Sequence, residues 1–230
     1  MKQLQTQGIV LSRTDYGEAD RIVTILTPEQ GKITLMARGV RKPKSKLAGG
    51  IELFSTSDVS YIKGKGEIGT LISVRLLNHF GNIVHDIERV QLGYEIIKML
   101  NKATEDQPEP EYFTILDQAF ASLDDPTIDK DLIRTWFGAQ LLRQGGHTPN
   151  LETTSEGLKL QADQKYNFDY DEVSFMDHPQ GDYATDDIKF LRLIFSGNQP
   201  KVLSKVDGSP NLTKTAQPLV QTMLSTYIRL

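Results

Sequence analysis

RIVTILTPEQGKITLMA, residues 21–37, holds two strands and the turn between them. Arg21 to Leu26 is rich in β-branched residues, which suit a pleated, half-buried surface. Pro28-Glu29-Gln30-Gly31 is a turn signal, and Lys32 to Ala37 is strand-like again, so the stretch reads as a β-hairpin. Before it, Gly8-Ile9-Val10-Leu11 opens another strand. After it, Asp58 to Ile62 is a fourth strand, and Lys63-Gly64-Lys65-Gly66 turns the chain. Ile68, Thr70, Ile72 and Val74 alternate in a fifth strand, with those apolar residues expected to share one face. Five short strands in about 80 residues predict a small barrel or sandwich. A Greek-key barrel of this size is an OB-fold, although strand count alone leaves an SH3-like barrel open.

Between the third and fourth strands lies ARGVRKPKSKLAGGIELFS, residues 37–55. Arg38, Arg41, Lys42, Lys44 and Lys46 crowd into nine positions without an acid. Pro43 and Gly49-Gly50 keep the segment out of regular structure. A basic loop of this kind can hold a phosphate backbone, because each cation that neutralises a phosphate releases a condensed counterion. Lys63, Lys65 and Arg75 are secondary candidates for the same role. The charge distribution agrees: residues 1–80 carry a formal +5 and the remainder −9, within a chain of net charge −4. A polyanion would meet the front of the molecule.

From residue 81 the period changes from 2 to 3.6. Ile83, Ile87, Val90, Tyr94 and Ile97 form one stripe of a helix over about 82–101. A second helix is expected over about 111–123 and a third over about 129–144, ended by Gly145-Gly146. Thr185 is expected to cap a helix carrying Ile188, Leu191 and Phe195. A last helix is expected from near Lys214, with Pro218 in its first turn. Residues 146–183 read as an irregular, acid-rich insertion. The expected domains are therefore 1–80 and 81–230.

Enzyme signatures are missing at the level of motif. There is no Walker loop, no G-x-S-x-G elbow and no H-E-x-x-H pair, and the chain has no cysteine. Asp169, Asp171 and Asp177 lack the glycine and terminal glutamate of an EF-hand loop. No catalytic residue, metal ligand or cofactor is assigned. No apolar run is long enough to span a bilayer, so a cytoplasmic location and no membrane partner are expected.

Gly8 to Leu11, Tyr16-Gly17-Glu18-Ala19-Asp20 leading into Ile22-Val23-Thr24, Gly31-Lys32, Ala37 to Lys42, and Leu53-Phe54 resemble the N-terminal domain of the RecO family in order and spacing. The helices from 82 to 144 and Gly146-His147-Thr148-Pro149-Asn150-Leu151 are similar to the part of RecO that precedes its zinc-binding insertion. The fold expected is thus α+β, an N-terminal five-stranded OB-fold barrel followed by an α-helical bundle domain with an irregular insertion. The resemblance implies a nucleoid-associated recombination mediator rather than an enzyme. It implies binding of single- and double-stranded DNA, annealing of complementary strands, and partnership with RecR. It further implies engagement of the C-terminal tail of single-stranded DNA-binding protein and indirect help in loading RecA. Arg134, beside Trp136, and Arg143 are candidates for the acidic, apolar tail. The two Cys-x-x-Cys pairs of many RecO proteins would fall near Thr153 and Glu156 and near Phe175 to His178, where this chain has no cysteine. Packing of Leu158, Leu160, Tyr166, Phe168 and Phe175 is expected to hold the insertion instead. Two other readings carry different expectations: a generic OB-fold binder of RNA or DNA without mediator activity, and a metal-dependent enzyme using the acids of 163–182.

Overall fold

The computed structural model describes residues 2–64, 66–105 and 108–228. Five strands form the front of the chain: β1 (Gln3–Tyr16), β2 (Asp20–Thr27), β3 (Gly31–Ala37), β4 (Ser55–Ile62) and β5 (Ile68–His79). They close into a barrel in the order β1-β2-β3-β5-β4, with β3 and β5 parallel and the other neighbours antiparallel. Closure removes the free sheet edges that would otherwise invite pairing with another chain. The interior is filled by Val10, Val23, Ile25, Leu35, Val59, Tyr61 and Leu71, with Val40 and Ile51 added from the loop between β3 and β4.

The fifth strand corrects the expected alternation. Leu71 faces the core, whereas Ile72 is 43% exposed. The β4–β5 register passes from Ser60↔Ser73 to Tyr61↔Leu71, so Ile72 is an extra residue without an opposite number. A bulge shifts the in–out phase by one residue. Val74 on one side of it and Leu71 on the other can then both face inward, and Ile68 and Ile72 are left outside.

The chain divides into two compact units, Met1–Asp124 and Asp125–Leu230. The first contains the barrel, a 3-10 turn at Gly81–His85, α1 (Ile87–Ala103) and α2 (Pro110–Asp124). The change of period at residue 81 therefore marks where strands end, and the compact unit runs on through two helices. Phe54 explains this. Its ring meets Phe120 of α2 edge-on at 5.3 Å and Tyr94 of α1 at 5.7 Å. A Cβ on Gly93 of α1 would lie 2.5 Å from the Phe54 ring, so α1 needs glycine there to approach. The buried Arg89 donates to the Leu123 carbonyl at 2.8 Å, tying α1 to the end of α2.

The expected stripe on the first helix is also corrected. Ile83 and Ile97 are buried, but Ile87 is 70% exposed and Tyr94 lies half outside. Asp86 interrupts the helix in an extended conformation and caps α1 by accepting from the Glu88 and Arg89 amides. This resets the helical phase, and the core face becomes Leu92, Ile96, Met99 and Leu100.

The second unit is built on α3 (Lys130–Gln144), buried on nearly every side. Gly138 lets α6 (Ser209–Tyr227) come close, since a Cβ there would lie 2.6 Å from Leu224 Cδ1. The last helix thus begins before Lys214, with Pro210 in its first turn, and Pro218 falls in its interior. Gln140 donates to the Ile194 carbonyl of α4 (Thr185–Phe195) at 2.7 Å. The N-cap of α4 is Ala184, not Thr185; the Thr185 hydroxyl instead donates to the carbonyls of Gln161 and Ala162. A single turn, α5 (Pro200–Leu203), separates α4 from α6.

The insertion contains a short antiparallel hairpin, β6 (Tyr166–Asp169) and β7 (Ser174–Asp177). Tyr166, Phe168 and Tyr183 each meet Phe175 edge-on, at 6.3, 5.1 and 5.4 Å. Aromatic packing therefore holds the segment, as expected for Tyr166, Phe168 and Phe175. Leu158 does not take part, being 57% exposed. The region does not fit a thiolate zinc site. It has no cysteine, and no group of three His, Asp or Glu among the described residues is arranged to hold a metal.

Candidate nucleic-acid interface

The loop from Arg38 to Phe54 is anchored at both ends and in its middle. Val40 and Ile51 are buried in the barrel core, and Leu47, Ala48 and Leu53 pack beside them. Gly50 sits where a Cβ would come within 2.4 Å of Val74, and its carbonyl accepts from the Ser57 hydroxyl at 2.8 Å. The front of the loop is tied to the β1–β2 turn. The Arg41 amide donates to the Ala19 carbonyl at 2.9 Å, and the Gly39 amide donates to Asp20 Oδ1 at 2.7 Å. Gly39 has φ +63°, a conformation that suits glycine. With its apolar residues turned inward, the loop turns Arg38, Arg41, Lys42, Lys44 and Lys46 outward; all five are exposed.

Four of these five, Arg38, Lys42, Lys44 and Lys46, have no acidic partner among the described residues. Arg41 is engaged, reaching Asp15 Oδ2 at 3.5 Å and donating to the Gly17 carbonyl at 3.3 Å. Asp15 also accepts from Arg21 at 2.8 Å. That hydrogen bond from Arg21, with the charges of Arg41, Arg21 and Arg13, holds the Asp15 carboxyl below its ordinary pKa, against a smaller opposing effect of burial. Arg13 pairs with Glu52 at the far end of the same loop. Arg13 and Arg21 were not singled out from sequence. They meet the loop because β1 and β2 run antiparallel, which sets Asp15 opposite Arg21.

The secondary candidates lie elsewhere. Lys63 is exposed in the β4–β5 turn. That turn shares an end of the barrel with the β2–β3 turn, because β3 and β5 pair in parallel with Thr34 beside Ile68. The loop of Arg38 shares the opposite end with the β1–β2 turn. Arg75 stands on the outer wall, hydrogen bonded to Asp58 of β4. Lys65 lies outside the described residues. The structure thus gathers the five loop cations and separates them from Lys63 and Arg75.

On α3, Arg134 donates to Asp131 Oδ1 at 2.6 Å. Trp136 is 1% exposed and belongs to the core, so it cannot form an apolar surface beside Arg134. Arg143 is exposed, with a 3.4 Å hydrogen bond to Gln140. The two arginines lie nine positions apart on the helix, about 13.5 Å and about two and a half turns, so they face opposite sides of α3.

Fold and site together define an α+β protein with an N-terminal OB-fold barrel that presents a cationic loop. Residues 1–80 match the family described as recombination protein O N terminal. The chain is 33% identical over 149 residues to a DNA repair protein RecO of Halalkalibacterium halodurans, covering 64% of this chain and 58% of the relative. It is 34% identical over 164 residues to one from Dehalococcoides mccartyi, covering 70% of this chain and 64% of the relative. A lower identity, 23%, extends over 97% of this chain and 91% of the DNA repair protein RecO of Exiguobacterium sibiricum. The barrel is thus matched to the N-terminal domain of the RecO family, and the chain as a whole is similar to DNA repair proteins RecO. At the higher identities it spans less than two thirds of the relatives' own length.

Proposed function

We propose that this protein acts in DNA repair and recombination as a mediator that binds single- and double-stranded DNA. In this reading it anneals complementary strands and helps load RecA on DNA coated with single-stranded DNA-binding protein. It does so by binding, without covalent chemistry of its own. The observation that carries the reading is the set of four cations, Arg38, Lys42, Lys44 and Lys46, that have no acidic partner among the described residues, on a loop fastened to the end of an OB barrel. Contacts of this kind go to phosphates, so affinity follows charge and salt rather than base sequence. Neutralising two strands at once lowers their repulsion and leaves base edges free to pair.

RecR and the acidic C-terminal tail of single-stranded DNA-binding protein are the protein partners in this reading. Arg143, exposed on α3, is the better of the two tail candidates, since Arg134 already serves Asp131. The test is annealing of complementary oligonucleotides coated with single-stranded DNA-binding protein, in EDTA. Wild type should accelerate annealing and K42E/K44E should not. Equal rates with and without the wild-type protein would reject the mediator reading.

A further inference from the structure

We infer that Tyr16 is a base-stacking residue, so that the barrel holds an unpaired base on an aromatic ring beside the cationic loop. The inference rests on the DNA-binding reading above and adds a means of telling single strands from duplex.

Tyr16 is the last residue of β1 and is 55% exposed. Residues directly opposite each other in a ladder project on the same face, and so do alternate residues along a strand. Tyr16 pairs with Asp20, Thr14 with Ile22, and Ile22 in turn with Met36. Ser12 pairs with Thr24, and Thr24 with Thr34. The intervening residues Val23, Ile25 and Leu35 fill the interior. Tyr16 therefore belongs to the outer wall of β1–β2–β3, in line with Thr14, Ile22 and Met36. The face of strands 2 and 3, with the adjoining loops, is where OB-folds take oligonucleotides.

The position is also fixed relative to the cations. Gly17 follows at φ +57°, turning the chain, and its carbonyl accepts from Arg41. Asp20, opposite Tyr16, receives the amide of Gly39, next to Arg38. The ring thus stands on a turn held by two connections to the phosphate-binding loop. The same turn carries exposed Glu18, and Asp15 is committed to Arg21 and Arg41. Extra cationic attraction is therefore not what the turn supplies. An exposed ring next to a phosphate-binding loop is what a single strand needs, because every base has a π-face and an unpaired base can leave its stack. In a duplex the faces are already occupied by neighbouring bases.

Binding is measured by fluorescence anisotropy with three labelled ligands: a short oligothymidylate, the same oligonucleotide with abasic sites, and a duplex. Tyr16→Ala should weaken oligothymidylate binding by about 5- to 150-fold, the range for loss of one stacked base. It should leave duplex and abasic binding unchanged. Tyr16→Phe should behave as wild type, since the ring is kept. Unchanged oligothymidylate affinity in Tyr16→Ala, or an equal loss on all three ligands, would overturn the inference while leaving the DNA-binding reading intact. Failure of wild type to bind any of the three would overturn both.

Discussion

Asp15 governs the electrostatics where the cationic loop meets the barrel. It accepts from Arg21 and lies 3.5 Å from Arg41, and its pKa is lowered as a result. A carboxyl with a depressed folded pKa contributes stability above its unfolded pKa, and that contribution is lost as pH falls through the folded value. The tie between loop and turn should therefore persist at neutral pH and loosen only below the ordinary aspartate range, about 3.9. Carboxyl NMR titration should show Asp15 rising toward the ordinary value in Arg21→Ala; an unchanged titration would remove Arg21 as the main cause. Phe54 is the second decisive residue. It is buried and holds φ at +57°, unusual for a bulky side chain. Surrounding contacts with Tyr94, Phe120 and Gly93 over-determine it. Phe54→Ala should cost about 3–5 kcal/mol in denaturant unfolding, the range for deleting a buried phenylalanine.

At the scale of the element, the loop between β3 and β4 is a clamp with an apolar underside and a cationic top. Its four cations without an acidic partner among the described residues predict a strong salt dependence of the proposed DNA binding. Each phosphate contact on duplex adds about 0.9 to the slope of log K against log salt. Lys42→Ala with Lys44→Ala should lower that slope by nearly two units if both touch phosphate, which a salt titration of duplex binding measures. The β6–β7 hairpin is a different kind of element, held by rings around Phe175 and by close backbone contact. A Cβ on Gly181 would lie 2.4 Å from the Tyr166 carbonyl oxygen, and Tyr166 and Tyr183 exchange backbone hydrogen bonds across this point. Gly181→Ala should force the strands apart, costing about 1–3 kcal/mol as other overpacking does. Hydrogen exchange over 166–183 should accelerate while the barrel amides stay protected.

The whole chain forms two compact units, and the first is larger than the barrel. Cutting after residue 80 would leave Phe54 and Phe80 without the α2 ring of Phe120, which lies 5.3 and 6.0 Å from them. A fragment of residues 1–124 should fold cooperatively and keep the proposed DNA binding, whereas one of residues 1–80 should expose these rings and aggregate. Thermal unfolding and size-exclusion of the two fragments test this, and equal stability would show that the helices are dispensable.

Much of this organisation follows from local pattern. The hairpin of 21–37, the cationic loop and the later helices could be read directly, because alternation, turn residues and 3.6-residue periodicity are properties of neighbours in the chain. Where the reading failed, the phase had changed inside a run that was read as continuous. The bulge at Ile72 reversed one face of β5, and the cap at Asp86 rotated the apolar face of α1. The same limit applies to the site. Sequence proximity alone grouped the five loop cations. The β1–β2 pairing set Arg13 and Arg21 beside the loop, and the strand order left Lys63 at the other end of the barrel and Arg75 on its outer wall, because strand pairing, not chain position, decides which side chains share a surface.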